Sequence, residues 1–552
     1  MGGWAGMPVL ESARRYWETA RHLRGEQIVN RLRRRLRPPK TEAPRGDWRL
    51  VDGAPVPPAG APGGGADGRM FTFLNQTLTL EGADRWRPAA ASRLWQYHLH
   101  YFRYLWALAP TPADALLADW LAANPPGASP GWEPYPTALR VREWLEWLLA
   151  QPEPEAGERG RAVASLAHQA AALEDQLEYH LGGNHLLEDA VTLCWAGLRL
   201  DGPRAARWRG RGSALLRREL AVQVLPDGGH AERSPMYQAI LAEGLLRLAE
   251  VAASSPAPGA EAIAEAAGTA GRRLAAALAL LTHPDGRIAL LNDAAWGEAP
   301  EWSALAARFG LASEGRPGAW ALPDSGYYGW RGDDGTYLVC DAGPVGPDSN
   351  PGHAHGDIFS FELSVCGRRV IVDGGVHDYE RGAVRDFCRS TAAHNTVEID
   401  GLDQCEFWDV FRIARRGRPR DVAWAPGADG FRLAGWHDGY RRLPGRPVHS
   451  REFRWEAPAA LTVTDRVTAH RGVTAVSRLH VHPDCAVESV GRDGAIIRYE
   501  GGVVRVRFSG LGRLALEESW FCPEFGRRIP NACLAWRTKG ERLETGFRLE
   551  IE

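Results

Sequence analysis

The sequence predicts an α+β multidomain protein, a helical domain followed by an antiparallel β domain. Apolar residues recur at three- and four-residue spacing from about residue 83 to 322, and after Gly326 the period falls to two. The chain's 552 residues suffice for two to four domains, each with a sizeable core.

Residues 1–45 read as a basic amphipathic helix, helical over 9–37 and ending in Arg-Leu-Arg-Arg-Arg-Leu-Arg before Pro38-Pro39. Residues 46–69 read as a linker: the tract from Gly53 to Gly68 holds six Gly and four Pro in sixteen residues, too little apolar surface to order itself. Within 70–325, helices are expected at Leu94–Leu108, Pro136–Leu149, Arg161–Leu181, His185–Leu200, Ser213–Val224, Pro235–Ala253 and Glu261–Leu281. Their short Gly- and Pro-containing connections stack them as antiparallel hairpins, compatible with a bundle, a solenoid or an α/α toroid. Residues 326–552 alternate through TYLVCDA, IFSFELSVC, RRVIVD, NTVEID, ALTVTDRV, SRLHVHP and VVRVRFSG, the pattern of a sandwich or barrel.

Composition narrows the function. The 66 basic and 68 acidic residues leave a net charge of -2, which gives no reason to expect a nucleic-acid partner. Only Lys40 and Lys539 are lysines, and neither lies in a phosphate-binding glycine loop. Gly127-Ala128-Ser129-Pro130-Gly131 spells a nucleophile elbow but lies in helical territory, where that strand-to-helix turn has no place. The eight cysteines include no CxxC pair and suggest a reducing compartment. The N-terminus lacks an apolar leader core, and no apolar run is long enough to span a bilayer. The expectation is therefore a soluble protein, cytoplasmic by default, with periplasm and exterior as open alternatives and a homo-oligomer compatible with the sequence.

Three clusters carry chemistry. Gly182-Gly183-Asn184-His185 reads as a helix stop followed by an N-cap at Asn184, and Glu232-Arg233-Ser234-Pro235-Met236-Tyr237 as a cap at Ser234 with Tyr237 in the first turn. Two helices lie between them, so an up-and-down pair returns Asn184, His185 and Tyr237 to one mouth. There the helix dipole and Arg233 are expected to lower the Tyr237 pKa and make it an acid/base group. The third cluster is His353-Ala354-His355, Asp373 and His394; two imidazoles and a carboxylate at strand ends form a zinc-type ligand set.

NHLLEDA, DGGHAERSPMYQ, HAHGDIFSFEL, VIVDGG and RDFCRSTAAHNTVEIDG, with LWQYHLHYF and GWEPYPTALR ahead of them, resemble in this order the heparinase II/III-like family of polysaccharide lyases. The resemblance spans roughly residues 70 to 470 and extends to heparinase-like proteins associated with bacterial exopolysaccharide synthesis. It implies an N-terminal (α/α) toroid followed by a C-terminal antiparallel β-sandwich, and β-elimination on an acidic, uronate-containing polysaccharide. By resemblance, Asn184 and His185 neutralise the substrate carboxylate, Tyr237 and His353 are the acid/base pair, and His355, Asp373 and His394 hold a structural divalent metal, usually Zn2+. Trp95, Tyr97, His98, His100, Trp132, Tyr135, Arg140, Glu232 and Arg233 are the candidate sugar contacts. The competing readings are a metal-dependent hydrolase or deacetylase, a glycoside hydrolase using carboxylates among Glu188, Asp189, Asp227 and Glu232, and a glycan-binding scaffold without turnover.

Overall fold

The computed structural model describes residues 9–36, 42–60, 68–151, 156–312, 315–488 and 490–552. Its helices are α1 (Val9–Ala20), α2 (Gly25–Leu36), α3 (Arg93–Tyr101), α4 (Pro110–Ala123), α5 (Pro134–Ala150), α6 (Ala156–Asp175), α7 (Gly183–Arg199), α8 (Ala205–Gln223), α9 (Pro235–Ala253), α10 (Ala260–Leu280), α11 (Trp302–Phe309) and α12 (Ala383–Arg389). Helix α7 packs on α5, α8 and α9, and α9 on α10. Trp95, Trp120, Trp144, Trp195 and Trp208 are fully buried among them, so the tryptophan excess serves this core first.

Two large antiparallel sheets follow, with a small hairpin of Phe407–Asp409 and Arg412–Ile413 beside them in sequence. The smaller is a meander of Gly318–Leu322, Tyr327–Arg331, Tyr337–Asp341, Phe361–Val365 and Arg368–Ile371, and it begins ahead of the Gly326 boundary. The larger, ten-stranded sheet is built on two long strands, Ala460–His480 and Ile529–Ile551, paired from Ala460 opposite Glu550 to His480 opposite Cys533. The sheets share one core, where Phe361 meets Phe453 and Phe547 at ring separations of 5.9 and 6.0 Å. No described helix is long and apolar enough to cross a membrane.

Several local expectations are corrected. The basic N-terminal segment is two helices. The break falls at Arg21–Arg24, where the Gln27 Oε1 accepts from the Arg24 amide at 2.8 Å. Gln27 Nε2 then donates to Leu181 O at 3.0 Å and Ser349 O at 3.1 Å, tying this segment to both domains. Arg37 to Lys40 lie outside the described residues.

The described part of the expected linker is ordered by buried carboxylates rather than by its own apolar surface. Val56 N donates to Glu146 at 2.8 Å and Ala59 N to Glu243 at 2.6 Å, and Arg49–Leu50 pairs with Leu200–Asp201. Residues 61–67 of that tract lie outside the described residues. Helix α3 stops at Phe102, which takes a left-handed conformation (φ 61°) before a 3₁₀ turn. Helix α4 escaped the sequence reading because Pro110 and Pro112 look like breakers, although proline is well suited to a helix's first turn.

Candidate active site between the domains

A cavity of 980 Å³ lies where α3, α5, α7 and α9 face the loops of the β domain. Its construction starts at two helix N-termini. Ser234 caps α9 by accepting from the Tyr237 amide at 3.4 Å, and Pro235 fixes the first turn, which aims Tyr237 into the cavity. Helix α7 starts at Gly183 with Gly182 as its cap, both at positive φ, and a Cβ on Gly183 would collide with the Glu232 carboxylate. That close approach lets Glu232 accept from the Asn184 amide at 2.8 Å and from Asn184 Nδ2 at 2.7 Å. Asn184 is therefore not the cap of α7; it lies buried behind the wall with both donors engaged.

His185, one residue on, does line the cavity, with its ring 4.5 Å from that of Tyr135 and its Nδ1 3.0 Å from Glu178. Burial opposes its protonation, but the Glu178 carboxylate, with Glu232 and Glu188 beyond it, outweighs burial and raises the pKa. In the same cavity the His353 and Tyr237 rings stand side by side, 4.1 Å between centroids. His353 Nδ1 is 3.0 Å from Asp293 Oδ2, its Nε2 is 3.7 Å from Glu232, and the Tyr237 hydroxyl is 3.1 Å from that of Tyr379.

The expected lowering of the Tyr237 pKa is overturned. Burial, reinforced by Tyr379, raises it well above the ordinary phenol value. Arg233 supplies no compensating charge, because its guanidinium turns to the β domain and donates to Ser325 O at 2.9 Å and Asp324 O at 3.2 Å. Tyr237 is consequently a neutral proton donor at neutral pH.

Asp293 organises the β-domain side and was not foreseen. It is fully buried and accepts from His353, from His355 Nε2 at 2.9 Å and from both terminal nitrogens of Arg385 on α12. Burial opposes its charge, but Arg385 holds its carboxyl well below the usual range. Asp293 closes the run Ile288-Ala289-Leu290-Leu291-Asn292, and a polar pair ending an apolar stretch was the only signal for it. Nothing in the periodicity distinguished Arg385 or Tyr379.

Behind Asp293, His355, Asp373 and His394 each offer a ligand atom, all within 4.8 Å of one another and all fully buried. His394 Nδ1 lies 2.8 Å from Asp373, whereas His394 Nε2 and His355 Nδ1 are buried without a hydrogen-bond partner. Partnerless buried imidazole nitrogens beside a carboxylate are the donor set a divalent cation takes, so these residues fit a metal.

The expected sugar contacts divide. Tyr97, His98 and Tyr135 line the cavity. Trp95, His100, Trp132 and Arg140 are core residues instead: Trp120 Nε1 donates to His100 Nδ1 at 2.9 Å, Trp132 donates to Asn124 O at 3.0 Å, and Arg140 donates to Gln169 at 2.8 Å and stacks over Trp120. Glu232 and Arg233 face Asn184 and Ser325 rather than the cavity. Arg140→Met is thus expected to lower the thermal midpoint and leave KM unchanged. A raised KM at unchanged stability would return Arg140 to the substrate.

Residues 160–304 match the family described as Heparinase II/III N-terminus and residues 314–547 that described as Heparinase II/III-like, C-terminal. The chain is 28% identical over 468 residues to FtsZ-localized protein C of Caulobacter vibrioides, covering 78% of each. It is 30% identical over 263 residues to a heparin-sulfate lyase of Bacteroides stercoris, covering 41% of this chain and 37% of that one. Its fold is similar to the crystal structure of heparinase III, with a TM-score of 0.70 at 15% identity over 88% of this chain and 82% of that one. A helical domain, an antiparallel β domain and the ordered sequence match together establish that the chain belongs to the heparinase II/III-like family.

Proposed function

We propose that the protein is a polysaccharide lyase that cleaves a uronate-containing acidic glycan by β-elimination, with an exopolysaccharide as the natural polymer class. The observation that carries this is the pairing of a neutral Tyr237 with a His353 anchored through Nδ1, both lining one cavity with His185. Family membership and the heparin-sulfate lyase relative support the same reading.

The uronate carboxylate meets His185, whose raised pKa favours the cationic form. Asn184 acts one layer back by fixing Glu232. Asp293, ionised beside Arg385, accepts the Nδ1 proton of His353, so Nε2 keeps its lone pair and removes the C5 proton. As the carboxylate takes up the resulting charge, Tyr237 donates its phenolic proton to O4, and the C4–O4 bond breaks. Base and acid stand on one wall, which suits an epimer with the C5 proton and O4 on the same face.

The hydrolytic readings find no equivalent geometry. Glu188 is ion-paired with Arg142 at 2.6 Å, Asp189 accepts from the Glu178 amide, Asp227 caps Ser325, and Glu232 holds Asn184. His355, Asp373 and His394 are absent from the cavity wall. The relative matched over most of its length is named for localisation with FtsZ rather than for a reaction; the complete Tyr237, His353 and Asp293 arrangement here favours turnover.

To His355, Asp373 and His394 we assign a structural zinc ion, whose charge when bound would fix the His353-to-Asp357 loop against the β domain. Purified protein should contain about one equivalent of metal, and His394→Ala should lose it together with a lowered thermal midpoint. Unchanged metal content in that variant would refute the assignment. For the reaction, incubation with unsulfated uronate polymers should raise the ultraviolet absorbance of a conjugated uronate; depolymerisation without that rise would refute elimination.

A further inference from the structure

The cavity that the lyase reading uses holds more carboxylates than arginines. Its wall carries four arginines, and each is already engaged. Arg103 grips Glu243 through two bonds of 2.6 and 2.7 Å, Arg142 meets Glu188 at 2.6 Å, and Arg247 meets Glu143 at 2.6 Å. Arg93 is bound to Glu133 and to Ser129, the latter at 2.8 Å. Among the described residues the wall has no lysine, yet it holds four further carboxylates, Glu298 (3.0 Å from His98), Glu524 (3.3 Å from Arg527), Glu301 and Glu380, so its glutamates outnumber its arginines seven to four.

A sulfate ester stays ionised throughout the physiological range and calls for an uncommitted guanidinium or ammonium. To reach one here it must pull an arginine from its partner. Glu143, Glu188 and Glu243 are 5%, 1% and 3% exposed, so three of those exchanges would strand a buried anion. A sulfate left unpaired would face the surplus carboxylates in a site partly shielded from water, where repulsion is strengthened. A single carboxylate is different, because His185, on the cavity wall, spends only Nδ1 on Glu178 and has Nε2 left for it.

We propose that this cavity takes an unsulfated glycan, one uronate carboxylate lying against His185 and the flanking sugars uncharged. Those sugars meet Phe73, Tyr97, Tyr101, Trp296 and Phe525 on the same wall, flat faces that hold a sugar ring without requiring charge on it. The inference rests on the lyase reading for its active-site assignment but not for its charge argument.

The test uses polymers that share a backbone and differ in sulfation, chondroitin with chondroitin sulfate and heparosan with heparan sulfate, and the full-length protein. Within a cleaved pair, kcat/KM should favour the unsulfated member at least tenfold. The triple variant Glu298→Gln, Glu380→Gln and Glu524→Gln should narrow that preference severalfold. Equal or faster cleavage of the sulfated member overturns the proposal. If none of the four is cleaved, equilibrium binding of the same four polymers decides the charge inference without the lyase reading. Selective binding of unsulfated chains sustains it, whereas tighter binding of sulfated chains, or no binding of unsulfated ones, overturns it.

Discussion

Tyr237→Phe should lower kcat about 10²- to 10⁴-fold, the usual contribution of a positioned proton donor, with KM nearly unchanged. Among the described residues the hydroxyl hydrogen-bonds only with Tyr379, at 3.1 Å, and the ring keeps its contact with His353, so the phenylalanine preserves the packing and removes the proton alone. Because burial keeps the phenol protonated, the loss should be largest for natural glycosidic leaving groups. An activated aryl leaving group, which departs without protonation, should recover much of the rate. A variant with wild-type kcat on the polymer would remove Tyr237 from the mechanism.

The second large effect is expected at Arg385. Its guanidinium neutralises Asp293 where the helical and β domains meet, and both side chains are fully buried. Arg385→Leu leaves Asp293 with only the two histidines and should cost about 3–5 kcal/mol of stability, as loss of one member of a buried ion pair does. Asp293→Asn in the same chain should restore part of that loss, since no charge is then stranded. Chemical denaturation of the two variants checks this; a cost under about 1 kcal/mol for Arg385→Leu would show that water reaches Asp293. The double variant, stable but with His353 unanchored, should remain well below wild type in kcat.

How much of this was legible in the chain follows from which residues carry local signals. The change from helical to alternating period located the two domains, because each period reports directly which face is buried. Cap chemistry placed Tyr237, since Ser234-Pro235 is a local instruction, and the two intervening helices brought His185 to the same cavity. His355, Asp373 and His394 were found by ligand type. The missing part was made by tertiary partners. Arg140, His100 and Trp132 look like sugar contacts but find their polar partners, Gln169, Trp120 and Asn124, inside a tryptophan-rich core.

The Tyr237 pKa failed for the same reason. A helix N-terminus and a neighbouring arginine lower it on paper, yet burial sets its direction and Arg233 turns away. Asp293, Arg385 and Tyr379 are separated by up to 92 residues in sequence and carry no spacing that announces them. The charge balance of the cavity could not be read at all from a composition that is nearly neutral overall.

The central claim is that the bond breaks by elimination, and cleavage in water enriched in heavy oxygen tests it most directly. Mass spectrometry of the first products from an unsulfated uronate polymer should show no label from bond cleavage in either new end, with a C4–C5 double bond at the new non-reducing terminus. One heavy oxygen per bond cleaved, measured before reducing ends exchange with solvent, and saturated termini would show that water was added and would contradict the account.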